Sequence, residues 1–519
     1  VSTATEPQLP EIDSEISVPL VPAIIRGEIV EDNLITFHGR GDGLTFLTPD
    51  PHCYVNRFAL SSPTMLRDVY ALSFDEILDY LEELGKRLNI DDNKHMQWAR
   101  ELTYATSPAT KPLIDNDFRA VGRFFDRDRV RQMADKQIGL DYLNSWVDST
   151  LADGTVASVR AFGARALHII PGNGGGSAAN AIVKNAFTRS DCIIKTPSNN
   201  PFTAVAIART MCEMAPDHPI TKHVTVAYWR GGDEEFERRL YQPHNIEKIL
   251  AWGGFASVKH VTRYIQPGLE LISLDPKFSA SVIGAEALST DEHLREAALR
   301  LAVDTGAGNQ QFCSSARVAY VVTGDGADAV EHVNRLGDYV YEELMALPTA
   351  MSTKPKQYDA ELRSNIESAR LQDDFYYVVG GEDGEGCVIV SQLPDPVDFS
   401  ALLADRTVNL VPVETIDEAL SHFDSYTQTV GVYPENVKEQ LIDVAPFYGV
   451  QRFVSLGYSS LHTSCTPHDG IEVERRMCKW IVNQASQPIP LSFAASRNGI
   501  APHDETGVTP ATLEALRQK

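Results

Sequence analysis

From about residue 156 onward the chain alternates short aliphatic or β-branched runs with longer segments of helical period, and this alternation restricts the fold more than any other feature. Residues 166–170, 192–195, 223–228 and 317–322 read as buried strands, and residues 177–187, 201–214 and 291–303 as the helices between them. A helix between two strands is a crossover rather than a hairpin, so the fold class is α/β with a mainly parallel sheet. Ligands of such sheets bind beyond the carboxyl ends of the strands, which directs attention to the residues that follow each one.

The rest of the chain is consistent with an ordinary globular protein. Of 519 residues, 43% are hydrophobic and 23% charged, enough for a large core and for several domains at roughly 100–200 residues each. With 46 basic against 71 acidic residues the formal charge is −25, which argues against nucleic acid or an anionic membrane as partner. Seven scattered cysteines, without a C-x-x-C pair or a zinc-spaced His/Cys cluster, fit free thiols in a reducing compartment and no metal. No apolar run reaches the roughly 18 residues of a membrane span, and no secretory leader is visible, so a cytoplasmic protein without an integral membrane segment is expected. Residues 1–22, rich in Pro, Glu and Ser, are expected to be a flexible arm. Residues 73–88 carry an amphipathic pattern, and residues 121–136 interleave both charge signs as a solvated helix does.

Three residues stand out as chemically useful. Asn173 lies in the run Gly172, Asn173, Gly174, Gly175, Gly176, which follows a strand and opens a helix. The run departs from G-x-G-x-x-G, with Ala179 at the third position, and reads either as a phosphate loop or as a simple strand-to-helix turn. A side-chain amide at such a turn can act as an oxyanion donor. Cys313 follows the polar, Gly-containing stretch from Gly306 to Phe312 and precedes a strand; it is either an inert thiol or a nucleophile activated by dipoles and cationic neighbours. Lys195 closes a strand before Thr196, Pro197 and Ser198, and is either a surface lysine or a cation at a ligand-binding strand end.

The order Asn173, Lys195, Cys313 resembles that of the aldehyde dehydrogenase superfamily. Pro171, Gly172 and Asn173 are similar to its Pro-Trp-Asn turn, and Lys195, Thr196, Pro197 and Ser198 to its Lys-Pro-Ser-Glu cofactor segment. Trp252, Gly253 and Gly254 stand where a Thr-Gly-Ser turn is expected, and residues 309–313 where the nucleophile loop is expected. Residues 228–233, the Asn-Gln-Gln-x-Cys-Ser loop ending at Ser314, and Asp469 with Gly470 ahead of a presumed long final helix resemble the LuxC-type long-chain acyl-CoA reductase branch. The resemblance covers about residues 130–485.

This resemblance implies an aldehyde dehydrogenase-like architecture. Residues 23–280 would hold N-terminal helices and a Rossmann-type NAD(P)-binding domain with its core at 156–275. Residues 281–460 would form the catalytic domain, and 461–519 would return to the cofactor and oligomerisation region. A small β extension, including the segment 157–164, would serve a homodimer or homotetramer.

Two departures bear on mechanism. Ser273 replaces the Glu that activates hydrolytic water in ordinary aldehyde dehydrogenases, so an acyl-cysteine thioester should persist. Ser198 replaces the Glu that grips the adenosine ribose, which leaves room for a 2′-phosphate beside Lys195. The expectation is therefore NADPH-dependent reduction of a fatty acyl-CoA to the aldehyde, with NADH possible. Cys313 would be the nucleophile, Asn173 the oxyanion donor and CoA the leaving group, while Pro171, Gly172, Lys195, Ser198, Trp252, Gly253 and Gly254 would bind the cofactor. The rivals are an NAD(P)-dependent aldehyde dehydrogenase and a cysteine acyltransferase or thioesterase with no redox step. Asp469 with Glu472 reads as a capping box, His462 and His468 as lesser acid/base candidates, and Gln310 and Gln311 as shaping their loop.

Overall fold

The computed structural model describes residues 18–38, 44–150, 156–326, 328–461 and 465–484. The expected N-terminal arm lies outside these as far as residue 17; from Pro19 the backbone pairs with Leu47, the Leu47 N–H donating to the Pro19 carbonyl at 2.9 Å.

Most of the chain, residues 18–138 and 163–478, forms one unit built on two seven-stranded sheets. In the first sheet the strands Glu270–Leu274, Lys248–Trp252, Arg165–Ile169, Asp191–Lys195 and Val224–Ala227 run parallel in that spatial order; Ala23–Ile25 and Glu28–Val30 close one edge antiparallel. Helices Gly176–Thr188 and Phe202–Met214 are the crossovers. Strand Arg165–Ile169 is buried throughout, as a parallel strand with both faces covered must be, which is why its sequence lacks polar alternation. Its successor in the chain lies on one side and Lys248–Trp252 on the other, so the winding reverses direction there and leaves a crevice at the carboxyl ends.

In the second sheet the spatial order is Tyr376–Gly380, Cys387–Ser391, Thr407–Val413, Ala316–Val322, Phe278–Ile283, Thr427–Tyr433 and Arg452–Ser455, parallel except for the first, edge strand. Only Asp275, Pro276 and Lys277 separate the last strand of the first sheet from Phe278. The register pairs Ser279 with Ala316 and Phe278 with Thr427, so the amino ends of three neighbouring strands lie level.

The expected amphipathic helix is Phe74–Arg87, begun by a capping box between Ser73 and Glu76 and burying Ile77, Leu78, Leu81 and Leu84 completely. The interleaved charges fall on Arg127–Gln137, where Arg127 and Arg131 pair at the surface with Asp75. A second, smaller unit comprises 139–162 with the described residues 479–484; in it Val156–Phe162 is the central strand between Val147–Thr150 and Lys479–Gln484, all antiparallel. Among the described residues no long helix follows Gly470: Val473–Met477 makes a five-residue helix, and the chain then enters Lys479–Gln484. The apolar residues Met477, Trp480 and Ile481 that suggested one continuous helix are thus shared between a helix and a strand. Among the described residues no helix is long and apolar enough to cross a membrane.

Candidate active site

Helix Asp291–Gly306 delivers the chain to a tight turn before strand Ala316–Val322, and Cys313 sits in that turn. Gly308, Asn309 and Gln310 take φ of 61°, 53° and 63°, three successive left-handed residues that only local contacts can hold. Gly308 is obligatory, because a Cβ there would collide with the Phe312 ring. The Asn309 Oδ1 accepts from the Thr353 N–H at 2.8 Å. Gln310 is almost wholly buried; its Nε2 donates to the carbonyls of Ala316 and Thr407, and its Oε1 accepts from the Thr407 N–H, each at 2.8 Å. It therefore shapes the loop. The Ser279 hydroxyl donates to the Cys313 carbonyl at 2.7 Å and accepts from the Thr429 N–H at 3.2 Å, which ties the turn to the level amino ends of the sheet.

The sulfur has a specific neighbour. Gln428, the second residue of Thr427–Tyr433, directs its Nε2 at the Cys313 Sγ across 3.2 Å, and the same nitrogen donates to the Asp469 carboxylate. Burial pushes the Cys313 thiol up and the charge of Asp469 adds to this; the Gln428 amide and the N–H groups of Cys313 and Ser314 oppose it. Burial thus works against the dipoles at the sulfur and against the nearby cations Arg317 and Arg452. Burial also lifts Asp469 to about 6, against the Gln428 hydrogen bond and the charge of Lys277, with Asp275 pushing the same way as burial. His468 is held down to about 4 by burial and by the charge of Lys184, so it is neutral near pH 7. Its Nε2 lies 3.6 Å from the Asp469 carboxylate and its ring meets Trp252 edge-on, with centroids 5.4 Å apart.

Asp469 is therefore not a helix cap. It has φ 51°, its carboxylate is turned to Gln428, and the helix begins only after Glu472, whose side chain makes no capping bond. Gln428 and Ser279 were missed by sequence reasoning. The available signal for Gln428 was a long polar side chain inside a strand buried over nearly its whole length, which needs a partner.

The remaining sequence-derived residues gather at the carboxyl ends of the first sheet. Asn173 is exposed and its Nδ2 donates to the Gln311 carbonyl at 3.2 Å, which brings the amide to the turn that carries Cys313. Gly172 packs against the turn that includes Ser198, since Asn199 donates to the Gly172 carbonyl at 3.2 Å and its side chain fills the space a Cβ would take, while the Pro171 carbonyl accepts from the Ser177 hydroxyl at 3.3 Å. Lys195 ends its strand with its ammonium 5.6 Å from the Trp229 ring centre. Trp252 ends the strand on the other side of the winding reversal, Gly253 and Gly254 follow it, and a Cβ at Gly254 would meet nothing within 4 Å.

Gly174, Gly175 and Gly176 behave differently. The Gly175 N–H donates to the Asp117 carboxylate at 2.7 Å, and a Cβ on Gly176 would lie 2.6 Å from the Phe124 ring. Of the two readings of this run, the strand-to-helix turn is the one the packing matches: an internal carboxylate already stands where a phosphate would. Burial raises that carboxyl to about 6. A Cβ on Gly253 would meet Ser257 at 3.6 Å, so only Gly254 leaves open space; with the cation of Lys195 one strand beyond the reversal and the small hydroxyl of Ser198, these are the residues that could hold an extended anionic group in the crevice.

Comparison with known proteins agrees with this geometry. Residues 69–480 match the family model described as acyl-CoA reductase (LuxC). The chain is 23% identical to a long-chain acyl-protein thioester reductase of Aliivibrio fischeri over 83% of its own length and 86% of that protein. It is 24% identical to one from Vibrio harveyi over 80% and 83% of the two chains. Among solved structures it is similar in fold to the NADP-dependent glyceraldehyde-3-phosphate dehydrogenase of Bacillus halodurans C-125, with a TM-score of 0.69 at 14% identity over 90% and 99% of the two chains. Lactaldehyde dehydrogenase of Escherichia coli is similar with a TM-score of 0.65 at 14% identity, covering 90% and 100%. The Rossmann-like α/β fold is thus that of aldehyde dehydrogenases, and over most of its length this chain belongs to the LuxC acyl-CoA reductase family.

Proposed function

We propose that the protein reduces a long-chain acyl-CoA to the aldehyde with NADPH, through an acyl thioester on Cys313. The observation that carries this reading is the Asn173 to Gln311 hydrogen bond, which brings an amide from one sheet to the cysteine turn of the other. The family match and the thioester reductases among its relatives support it. Cys313 as thiolate attacks the acyl carbon; the S–C bond forms and the carbonyl pair moves onto oxygen, where the Asn173 amide and the Cys313 N–H can hold it. Collapse breaks the bond to CoA, whose thiolate takes up the proton lost by Cys313. NADPH, when bound, would supply the hydride to the acyl carbon. Return of the oxyanion pair then expels the Cys313 sulfur as thiolate and leaves the aldehyde. Pro171, Gly172, Lys195, Ser198, Trp252, Gly253 and Gly254 would hold the cofactor.

Ser273 offers no carboxylate for activating water, and Asp469, whose side chain is only 4% exposed and bonded to Gln428, is poorly placed to replace it. This favours reduction over hydrolysis. Exposed Val156, Ile481 and Val482 on the three-stranded sheet support its use in a homo-oligomer, dimer or tetramer.

The test is a spectrophotometric series of acyl-CoA chain lengths and an acylated protein thioester, each with NADPH and NADH, plus aldehyde with NADP⁺, with and without CoA. Acyl-CoA-dependent NADPH oxidation that yields aldehyde and is abolished in Cys313→Ala is expected. Activity on the acyl-protein alone would replace acyl-CoA as donor. Free acid from aldehyde would favour a dehydrogenase, and acyl transfer without NADPH oxidation a transferase or thioesterase.

A further inference from the structure

We infer that Gln428 is a second catalytic residue at the Cys313 sulfur and that Asp469 is the positioning residue that aims it. The inference rests on the reading of Cys313 as nucleophile. Gln428 is buried at 2% exposure. An amide presents donors on one side and an acceptor on the other, and a carboxylate ion can only accept, so Asp469 selects the orientation with Nε2 toward itself. That orientation also puts Nε2 3.2 Å from the Cys313 Sγ. The Oε1 on the far side lies 3.4 Å from the Thr429 hydroxyl that donates to it. Rotated by half a turn, the amide would present oxygen to both the carboxylate and the sulfur.

An N–H aimed at sulfur interacts weakly with a thiol and strongly with a thiolate, because charge-assisted hydrogen bonds are about twice as strong as neutral ones. Sulfur carries that charge twice in the proposed cycle, before it attacks the acyl carbon and when it is expelled from the reduced adduct. Gln428 assists both steps. Asp469 has two opposed effects: it orients the favourable donor, and its own charge disfavours the thiolate. Arg317 and Arg452 on neighbouring strands, and His468 beside Asp469, complete the ionisable surroundings of the sulfur; Lys277 and Asp275 act on Asp469.

The two residues therefore make opposite predictions. The rate of Cys313 alkylation by iodoacetamide is measured against pH in the full chain, with peptide mapping to separate Cys313 from Cys53 and Cys465. In Gln428→Leu the midpoint should rise by about one pH unit. In Asp469→Asn, which keeps an oxygen for Gln428 and loses the charge, it should fall by a similar amount. Gln428→Met, close in volume, replaces the leucine variant should that one unfold. Midpoints that stay unchanged, or that move in the same direction in both variants, overturn the inference. No acyl donor or NADPH enters this measurement, so failure of the reductase reading would show in the turnover assay and leave the two midpoints intact.

Discussion

Gln310→Ala should loosen the turn that presents Cys313 at a cost that can be worked from three hydrogen bonds. The side chain satisfies the Ala316 carbonyl and both the carbonyl and the N–H of Thr407, at 2.8 Å each, and these backbone groups are buried. Leaving a buried backbone group unpaired costs about 1–3 kcal/mol; the Thr407 N–H keeps the Ala404 carbonyl at 3.1 Å, so the two carbonyls carry the loss, about 2 kcal/mol at the low end. At about 2.1 cal/mol/K per residue, a chain of 519 residues shifts by about 1 °C per kcal/mol, so the melting temperature should fall by about 2 °C. The turn would also lose its clamp to the strand starting at Thr407, and a displacement of about 1 Å at the sulfur can cost about 100-fold in rate. Thermal unfolding and kcat are measured on the same preparation, with Gln310→Glu beside it. The glutamate retains the acceptor for the Thr407 N–H and opposes two carbonyls, so it should be at least as damaging as alanine. A melting temperature within about 0.5 °C of wild type, together with kcat within about twofold, would refute the assignment of these three bonds as the clamp.

Asn173→Ala should lower kcat roughly 10²- to 10³-fold while Cys313 alkylation persists, and a near-normal kcat would remove Asn173 as an oxyanion donor. Ser273→Glu should divert acyl-enzyme to free acid, seen by chromatography of products; an unchanged ratio of aldehyde to acid would show that the position does not govern water. Apparent KM for acyl-CoA and NADPH should stay flat or fall with moderate salt, because a chain of net charge −25 repels both anions at long range, and a steep rise would show a locally attractive field at the crevice instead. Asp304, 1% exposed and accepting from the Gly457 and Ser459 N–H groups, is raised by burial from 3.8 to about 6. The folded state therefore binds this proton more tightly than the unfolded state, and stability contributed below about pH 4 is lost as pH rises through 6, by at most about 3 kcal/mol. Melting temperatures between pH 4 and 7 should be flatter in Asp304→Asn; an unaltered profile would exclude Asp304 as their source.

The first sheet was legible because parallel strands covered on both faces become uninterrupted aliphatic runs, and 166–170 and 192–195 coincide with Arg165–Ile169 and Asp191–Lys195 to within about a residue. The Cys313 turn was legible from its glycines and polar residues. What could not be read were contacts that depend on strand order. Gln428 and Cys313 are 115 positions apart, and only the parallel register of Phe278–Ile283 with both its neighbours brings them together. Asp117 and Gly175, 58 positions apart, show the same limit. Asp469 failed for a different reason: an acidic residue followed three places later by Glu satisfies a capping pattern whether or not a helix starts there, and its left-handed backbone decides otherwise.

The three-residue link from Leu274 to Phe278 also sets a mechanical scale. A strap of Asp275, Pro276 and Lys277 reaches at most about 11 Å when fully extended, and Lys277 is further tethered by its ammonium to the Ser425 carbonyl at 2.9 Å. At this point, therefore, Leu274 and Phe278 stay within reach of one another, and the two sheets are joined here as on a common spine. The spine also bears directly on the sulfur's surroundings: the charges of Asp275 and Lys277 act on Asp469, which holds Gln428 against Cys313. The charges of the strap thus reach the nucleophile through Asp469 and Gln428, as a local field rather than as a bond.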